Sequence, residues 1–122
     1  MKKFLTFCFV LFAFNVNGME KETTFKKELF DKAQSEGKVV VVSSWIKYCS
    51  SCASQMKILN KAKNEFKNIE YFTFDITNKE IANFFKVQYQ TTLLIFKDNK
   101  EVYRSLGETT EELIYKALES SI

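Results

Sequence analysis

Residues 39–52 read VVVVSSWIKYCSSC, a run of β-branched residues that leads to two cysteines three positions apart. Four successive valines are typical of a strand buried on both faces, as in the middle of a parallel sheet. From Cys52 to about Phe66, apolar residues recur at helical spacing, which predicts a helix that begins at the second cysteine. The segment therefore predicts a strand, a connection over residues 43–51 and a helix that carries the Cys-x-x-Cys pair at its N-terminal end.

This placement favours reactive sulfur atoms. Unpaired N–H groups and the positive end of the helix dipole stabilise a thiolate, and such sites commonly lower the thiol pKa from about 8.5 by one to several units. We therefore interpret Cys49, at the exposed end, as the nucleophile and Cys52, one turn inside, as the thiol that resolves a mixed disulfide. Ser50 and Ser51 are placed to donate hydroxyl hydrogen bonds to the thiolate. The alternative is a structural disulfide, but so short a loop restricts the unfolded chain little.

The rest of the patterning predicts the element order α-β-α-β-α-β-β-α. Apolar residues at i, i+4 and i+8 predict a leading helix that ends near Gly37. Strands are predicted at residues 69–74, 92–96 and 101–104, and the last of them is expected to return as the antiparallel hairpin partner of the strand before it. Capping boxes at residues 77–80 and 109–112 predict the starts of two further helices. The side chains expected to face the core are Phe25, Leu29 and Ala33 of the leading helix, Phe72 and Phe74 of the second strand, and Leu113, Ala117 and Leu118 of the last helix. This alternation indicates one α/β domain with a central, largely parallel sheet covered on both faces.

Composition excludes several classes of protein. A chain of 122 residues has the size of one domain. It contains no histidine, which excludes a histidine general base, a Cys-His dyad and a zinc site with histidine ligands. The three glycines are far apart, so there is no Gly-rich phosphate loop. A net charge of +3 and a single arginine, Arg104, give no basic face for a nucleic-acid partner.

The first eighteen residues have the pattern of a secretory signal peptide. Two lysines precede the apolar residues 4–14, and a polar stretch of small residues ends at Gly18. We predict cleavage before Met19, which leaves residues 19–122 as the mature domain in the periplasm or another compartment outside the cytoplasm. An uncleaved anchor is the alternative, but about 11 apolar residues fall well short of the roughly 20 that span a membrane. Cys8 would be lost with the signal peptide, and the two remaining cysteines would pair where disulfides persist.

From about Phe25 to the C-terminus, the sequence resembles the thioredoxin family. Residues 39–52 are similar to the strand and active-site loop of that family, with Trp45 at the place of a tryptophan packed beside the disulfide. Residues 91–99, TTLLIFKDN, resemble its cis-Pro-Thr strand and the turn that follows, and Gly107 resembles a glycine near the active site. The resemblance implies a thioredoxin-like α/β fold, a central mixed sheet flanked by helices on both faces. It also implies thiol–disulfide chemistry that needs no cofactor besides the Cys49–Cys52 disulfide.

The resemblance further implies a surface for substrates. In the family, the backbone just before the cis-proline pairs with substrate, and that residue here is Gln90. Tyr48 replaces a second tryptophan and is expected to form an exposed shoulder that contacts a partner. Trp45 is either a core residue or a functional contact.

Three positions depart from the family pattern. Thr91 replaces the cis-proline, and because a non-proline cis bond costs about 3–4 kcal/mol, the Gln90–Thr91 bond is expected to be trans, or cis and strained. Ser43 replaces a buried aspartate that helps to deprotonate the resolving cysteine. Ser50-Ser51 replaces a Gly-Pro dipeptide that tunes the redox potential, so reductase, oxidase and isomerase all stay open.

Three functions are compatible with these observations. The first is an exported, monomeric thiol–disulfide oxidoreductase that acts on protein cysteines, with a membrane thiol–disulfide electron donor as a candidate partner. The second is a module whose reduced cysteines hold a soft metal, either copper or an iron–sulfur cluster. It needs a third ligand or a second chain, and Thr91 favours it because the family's proline helps to keep metals off the sulfurs. The third is a redox-silent module that binds a partner through Tyr48, Gln90 and Gly107.

Overall fold

The computed structural model describes residues 21–122, so the predicted signal peptide and its cleavage site lie outside the described residues. The helices are α1 (Lys27–Ser35), α2 (Ser50–Glu65), α3 (Lys79–Phe85) and α4 (Glu111–Ser121). The strands are β1 (Val39–Trp45), β2 (Ile69–Asp75), β3 (Thr92–Lys97) and β4 (Lys100–Leu106). This is the predicted element order. Within the described part of the chain, no helix has the length and apolar character that a membrane crossing requires.

The four strands form one mixed sheet in the order β2-β1-β3-β4. β1 runs parallel to β2, whereas β3 is antiparallel to both β1 and β4. The mixed sheet that the resemblance implied is confirmed, and the expectation of a largely parallel sheet is wrong. The reason is β3, which enters the sheet beside β1 in the opposite direction. The predicted hairpin between β3 and β4 is confirmed and turns at Asp98 and Asn99. Both residues have positive φ, as in the tight turns whose twist matches that of antiparallel strands.

β1 lies at the centre of the fold, and all seven of its residues are buried. Val40 and Val42 pack into a cluster with side chains of α1 and α3, while Val39 and Val41 pack into a second cluster with side chains of α2 and α4. Helices therefore cover both faces of the sheet, as predicted. The expected core positions on β2 are confirmed, since Phe72 and Phe74 are both buried.

Residues 43–51 are not the simple connection that the sequence predicted. β1 continues through Trp45 because its two serines satisfy their buried hydroxyls. The Ser43 hydroxyl bonds the Tyr71 hydroxyl at 2.9 Å, and the Ser44 hydroxyl donates to the Tyr89 carbonyl at 2.8 Å. α2 begins at Ser50, two residues before the predicted start, because the side chain of Cys49 caps it.

On the first and last helices, the predicted burial of Ala33, Ala117 and Leu118 is confirmed, and that of the two leucines is wrong. Leu29 and Leu113 are 47% and 48% exposed, whereas the next residue of each helix, Phe30 or Ile114, is buried. Phe25 precedes α1 and is only partly buried. The apolar spacing allows either neighbour to face inward, and Phe30 and Ile114 are the residues that pack into the two core clusters.

The two predicted capping boxes are also wrong in detail. α3 is capped by Asn78 rather than by Thr77, since the Asn78 side chain accepts from the Ile81 N–H group at 3.2 Å. At the start of α4, Thr110 occupies the cap position without a side-chain bond. The Glu108 carboxylate accepts from the Thr110 N–H group there instead.

Residues 22–25 run along the outer edge of β2. The N–H groups of Thr24 and Phe25 donate to the carbonyl of Thr73. The Thr73 N–H group donates to the Thr24 hydroxyl at 2.9 Å, and the Asp75 N–H group donates to the Thr23 hydroxyl at 3.1 Å. These bonds cover part of a sheet edge that is otherwise open to pairing with another chain.

Candidate active site

Cys49 and Cys52 lie at the N-terminal end of α2 and form a disulfide. Cys49 is the N-cap residue, and its Sγ accepts from the Cys52 N–H group at 3.1 Å. Cys52 has no exposed surface, whereas Cys49 is partly exposed. After reduction, the exposed sulfur would keep the N–H group and the helix dipole beside it, and both stabilise a thiolate.

Thr91 lies against both sulfur atoms. Its Oγ1 is 3.1 Å from Cys52 Sγ and 3.5 Å from Cys49 Sγ. The same atom is 3.0 Å from the hydroxyl of Ser51, which is itself 3.3 Å from Cys49 Sγ. The structure thus brings four of the predicted site residues into one cluster. Ser50, the remaining residue between the cysteines, is exposed at the start of α2.

The backbone of Thr91 adopts an uncommon conformation. No peptide bond within residues 21–122 is cis, so the Gln90–Thr91 bond is trans, and Thr91 has a φ of 61°. Positive φ is unfavourable for a β-branched residue, and hydrogen bonds on both sides hold it there. The Thr91 N–H group donates to the Ser44 carbonyl at 2.9 Å, and the Gly107 N–H group donates to the Thr91 carbonyl at 2.8 Å. Gly107 therefore supports the Thr91 loop directly.

Gln55 is a site residue that the sequence interpretation missed. It is completely buried, and its Nε2 donates to the carbonyls of Thr91 at 3.3 Å and Glu108 at 2.9 Å. It ties α2 to both loops beside the disulfide. A signal was present, because Gln55 follows Cys52 by three positions and is a polar residue on the helix face that was expected to be apolar.

Lys21 was also missed, because the residues before Phe25 carry no periodic pattern. Its Nζ donates to the carbonyl of Ile46 at 3.1 Å and to that of Cys49 at 2.9 Å. The contact places a positive charge beside the exposed cysteine, where it favours the thiolate.

The remaining predicted residues separate into core and rim. Trp45 is 7% exposed, and its Nε1 has no hydrogen-bond partner within residues 21–122, so it belongs to the core. Tyr48 is 98% exposed, in agreement with the expected shoulder. Gln90 is exposed. Near it, Tyr89 and Leu106 expose 59% and 62% of their surface and line one shallow cleft.

Ser43 offers no acid in place of the family's aspartate. It is fully buried, and its hydroxyl partner is Tyr71. Burial raises the pKa of Tyr71 far above its usual range, and the Ser43 hydrogen bond offsets only part of this rise. The pair therefore remains two neutral hydroxyl groups at physiological pH.

Cys49 and Cys52, on which the metal hypothesis rests, do not form a site of three protein ligands with other described side chains of the types His, Cys, Asp and Glu. Residues 21–122 bring no three side chains of the types His, Cys, Asp and Glu close enough together to hold an ion. A soft metal on Cys49 and Cys52 would thus need another kind of ligand or a second chain.

Comparison with known proteins identifies the family. The profile of the Thioredoxin family matches residues 18–120. Thioredoxin H-type of Fagopyrum esculentum is 28% identical over 90 residues, which cover 73% of this chain and 78% of that protein. Thioredoxin Y1, chloroplastic, of Arabidopsis thaliana is 29% identical over 104 residues, which cover 80% and 60% respectively.

Solved structures show the same likeness. The structure of Trxlp from Edwardsiella tarda EIB202 superposes with a TM-score of 0.71 at 27% identity, over 77% of this chain and 94% of that one. Fasciola hepatica thioredoxin superposes with a TM-score of 0.69 at 23% identity, over 79% and 90%. Because the family match extends over nearly the whole sequence and includes the paired cysteines, the chain belongs to the thioredoxin family and is a thiol–disulfide oxidoreductase.

Proposed function

We propose that this oxidoreductase works outside the cytoplasm and exchanges disulfides with the cysteines of other proteins, at Cys49 and Cys52. The observation that carries the proposed exchange is the unequal exposure of the pair. Cys49 is partly exposed at the start of α2, and Cys52 is completely buried. A partner disulfide thus meets Cys49 first, and Cys52 acts within the protein.

The reaction has two exchange steps. In the reductive direction, the Cys49 thiolate attacks a partner disulfide, forms a mixed disulfide with one partner sulfur and releases the other as a thiolate. Cys52 then attacks Cys49 Sγ, which forms the Cys49–Cys52 disulfide and releases the second partner thiolate. Two electrons pass from the cysteine pair to the partner, so the sulfurs themselves are the redox group. The reverse sequence oxidises a partner dithiol.

The surface around Cys49 suits a protein partner. Tyr48 projects into solvent on one side, and Tyr89 and Leu106 expose apolar area beside the Thr91 loop. Aromatic and aliphatic side chains of this kind are frequent anchors in protein interfaces. The resemblance adds the backbone of Gln90 as a contact for an extended partner segment.

Export is supported by the sequence of residues 1–18 and by the number of cysteines. With the signal peptide removed, Cys49 and Cys52 are the two cysteines that remain. Outside the cytoplasm, regeneration of the dithiol requires a reductant, and a membrane thiol–disulfide donor is the partner that we propose for this step.

The test expresses the full chain in a Gram-negative bacterium, separates the periplasm from the cytoplasm and sequences the N-terminus of the product. We expect a periplasmic protein that begins at Met19 and that reduces the disulfides of insulin with dithiothreitol as electron source. The matched control, Cys49→Ser, should reach the same compartment without turnover. A chain that retains Met1 in the cytoplasm contradicts export, and a processed wild-type chain without turnover contradicts disulfide exchange.

The reduction potential of the same protein decides the direction. Equilibration with glutathione or dithiothreitol buffers, followed by thiol trapping, measures it. A potential close to about −270 mV indicates a reductase, and one close to about −120 mV indicates an oxidant of other exported proteins.

A further inference from the structure

Cys52 must lose its proton before it can resolve a mixed disulfide, yet it has no contact with solvent. Its exposed surface is zero, so its proton cannot pass directly to water. The chain contains no histidine, and Ser43 provides no carboxylate at the place where the family has one. Within residues 21–122, the side chain that hydrogen-bonds Cys52 Sγ is that of Thr91, at 3.1 Å.

Thr91 connects this sulfur to the surface through one further hydroxyl. The Thr91 side chain is buried at 4% exposure, its Oγ1 is 3.0 Å from Ser51 Oγ, and Ser51 is exposed. A hydroxyl group donates one hydrogen bond and accepts two, so each member can bond its neighbours on both sides at the same time. The atoms form an unbroken path of Cys52 Sγ, Thr91 Oγ1, Ser51 Oγ and solvent.

We propose that the hydroxyls of Thr91 and Ser51 are catalytic groups that carry the proton of Cys52 to solvent and stabilise the thiolate that it leaves. The inference rests on the proposed disulfide exchange and deepens it. In the resolving step, the Cys52 thiol gives its proton to Thr91 Oγ1, Thr91 gives its own to Ser51 Oγ, and Ser51 gives its own to water. The electron pair left on Cys52 Sγ attacks Cys49 Sγ. The bond from Cys49 to the partner sulfur breaks, and the partner leaves as a thiolate that takes a proton from solvent.

The test separates the two exchange steps in one stopped-flow experiment. Reduced protein is mixed with an aromatic disulfide that releases one coloured thiolate when Cys49 attacks and a second when Cys52 resolves. Thr91→Val keeps the shape of the side chain and removes its hydroxyl. We expect it to slow the second release by about tenfold to a hundredfold, as for the loss of one hydrogen bond to a charged group, and to shift its pH profile to higher pH. Thr91→Ser, which restores a hydroxyl, should recover most of the rate.

Ser51→Ala tests whether the two hydroxyls act in series. It should slow the second release as well, and the double variant should be no slower than Thr91→Val alone, because either substitution interrupts the same path. Ser54→Ala removes an exposed hydroxyl of α2 and is the matched control with an unchanged rate. A purely structural role of Thr91 would lower the thermal midpoint without moving the pH profile.

Two results would overturn the relay. One is a second release in Thr91→Val that keeps the rate and the pH profile of the wild-type protein. The other is additive slowing by the two substitutions. The proposed function fails in a different way, since wild-type protein would then give no first release. Should Thr91→Val not fold, Ser51→Ala decides the matter, because a second release at the wild-type rate with an unshifted pH profile in that variant also overturns the relay.

Discussion

At Cys49 and Cys52, the difference in exposure predicts different outcomes for the same substitution. Cys52→Ser leaves the exposed nucleophile in place and removes the resolving thiol, so it should accumulate a covalent complex between Cys49 and partner proteins. Cys49→Ser should form no such complex and should show background turnover. Non-reducing electrophoresis and intact mass measurement distinguish these outcomes. Trapping by Cys49→Ser instead would show that the roles of the two cysteines are reversed.

Tyr71 predicts how stability depends on pH. Burial raises the pKa of its phenol above the ordinary value of about 10, so the folded state favours the neutral form. The resulting contribution to stability is fully present below about pH 10 and is lost as the pH rises through the raised pKa of the folded state. Urea unfolding at pH 7, 9.5 and 11 should therefore show the free energy of unfolding falling above pH 10.

Tyr71→Phe should make that alkaline decline smaller. It should also cost about 1 kcal/mol at pH 7, because the buried Ser43 hydroxyl loses its partner. An equally steep decline in Tyr71→Phe would assign the alkaline loss to other groups.

At the scale of elements, Gln55 makes α2 and the Thr91 loop one unit. Its amide donates to the Thr91 and Glu108 carbonyls, and Gln55→Met would remove both bonds with little change in side-chain length. We expect a loss of about 2 kcal/mol in the free energy of unfolding and slower disulfide exchange, measured by urea unfolding and by insulin reduction. Gln34 is the matched control, since it is also buried and accepts from the Asn99 N–H group on the opposite side of the fold. Gln34→Met should lose stability without loss of exchange, and equal loss of exchange in both variants would deny Gln55 a role at the site.

The elements themselves could be predicted from local pattern. The valine run of β1 indicates a strand that is buried on both faces, whatever its place in the sheet. The spacing of apolar residues in α2 indicates a helix, whatever elements pack against it. Strand direction and helix rotation could not be obtained in this way. Whether Leu29 or Phe30 faces inward depends on the side chains that α1 meets, and the antiparallel direction of β3 depends on its pairing with β1, which is distant in the sequence.

The site shows the same division between local and distant information. Cys49, Ser51 and Cys52 are close in sequence, so their proximity follows from the start of one helix. Thr91 was placed beside them by resemblance, but its positive φ and its bonds to both sulfurs were not predicted. Gln55 and Lys21 contact partners 36 and 28 positions away, and no local pattern specifies such pairs.

Over the whole molecule, the N-terminal segment connects the edge of the sheet to the redox site. Residues 22–25 follow the outer edge of β2, and the bonds from Thr23 and Thr24 to that strand hold the segment in place. Lys21 then extends from this edge to the carbonyls of Ile46 and Cys49. The anchored segment thus holds an ammonium group over the loop that carries the nucleophile.

Lys21→Met tests the electrostatic effect of this connection, because it keeps an apolar stem and removes the charge. The ammonium group favours the Cys49 thiolate, so the variant should react more slowly with iodoacetamide at pH 6–7. The expected slowing is about twofold to fivefold, because solvent screens part of the Lys21 charge. High salt should reduce the difference between variant and wild type. Lys57→Met, which removes an exposed charge from α2, is the control and should react at nearly the wild-type rate. Equal slowing in both variants would mean that the net charge of the molecule, rather than the contact at Cys49, sets the reactivity of the nucleophile.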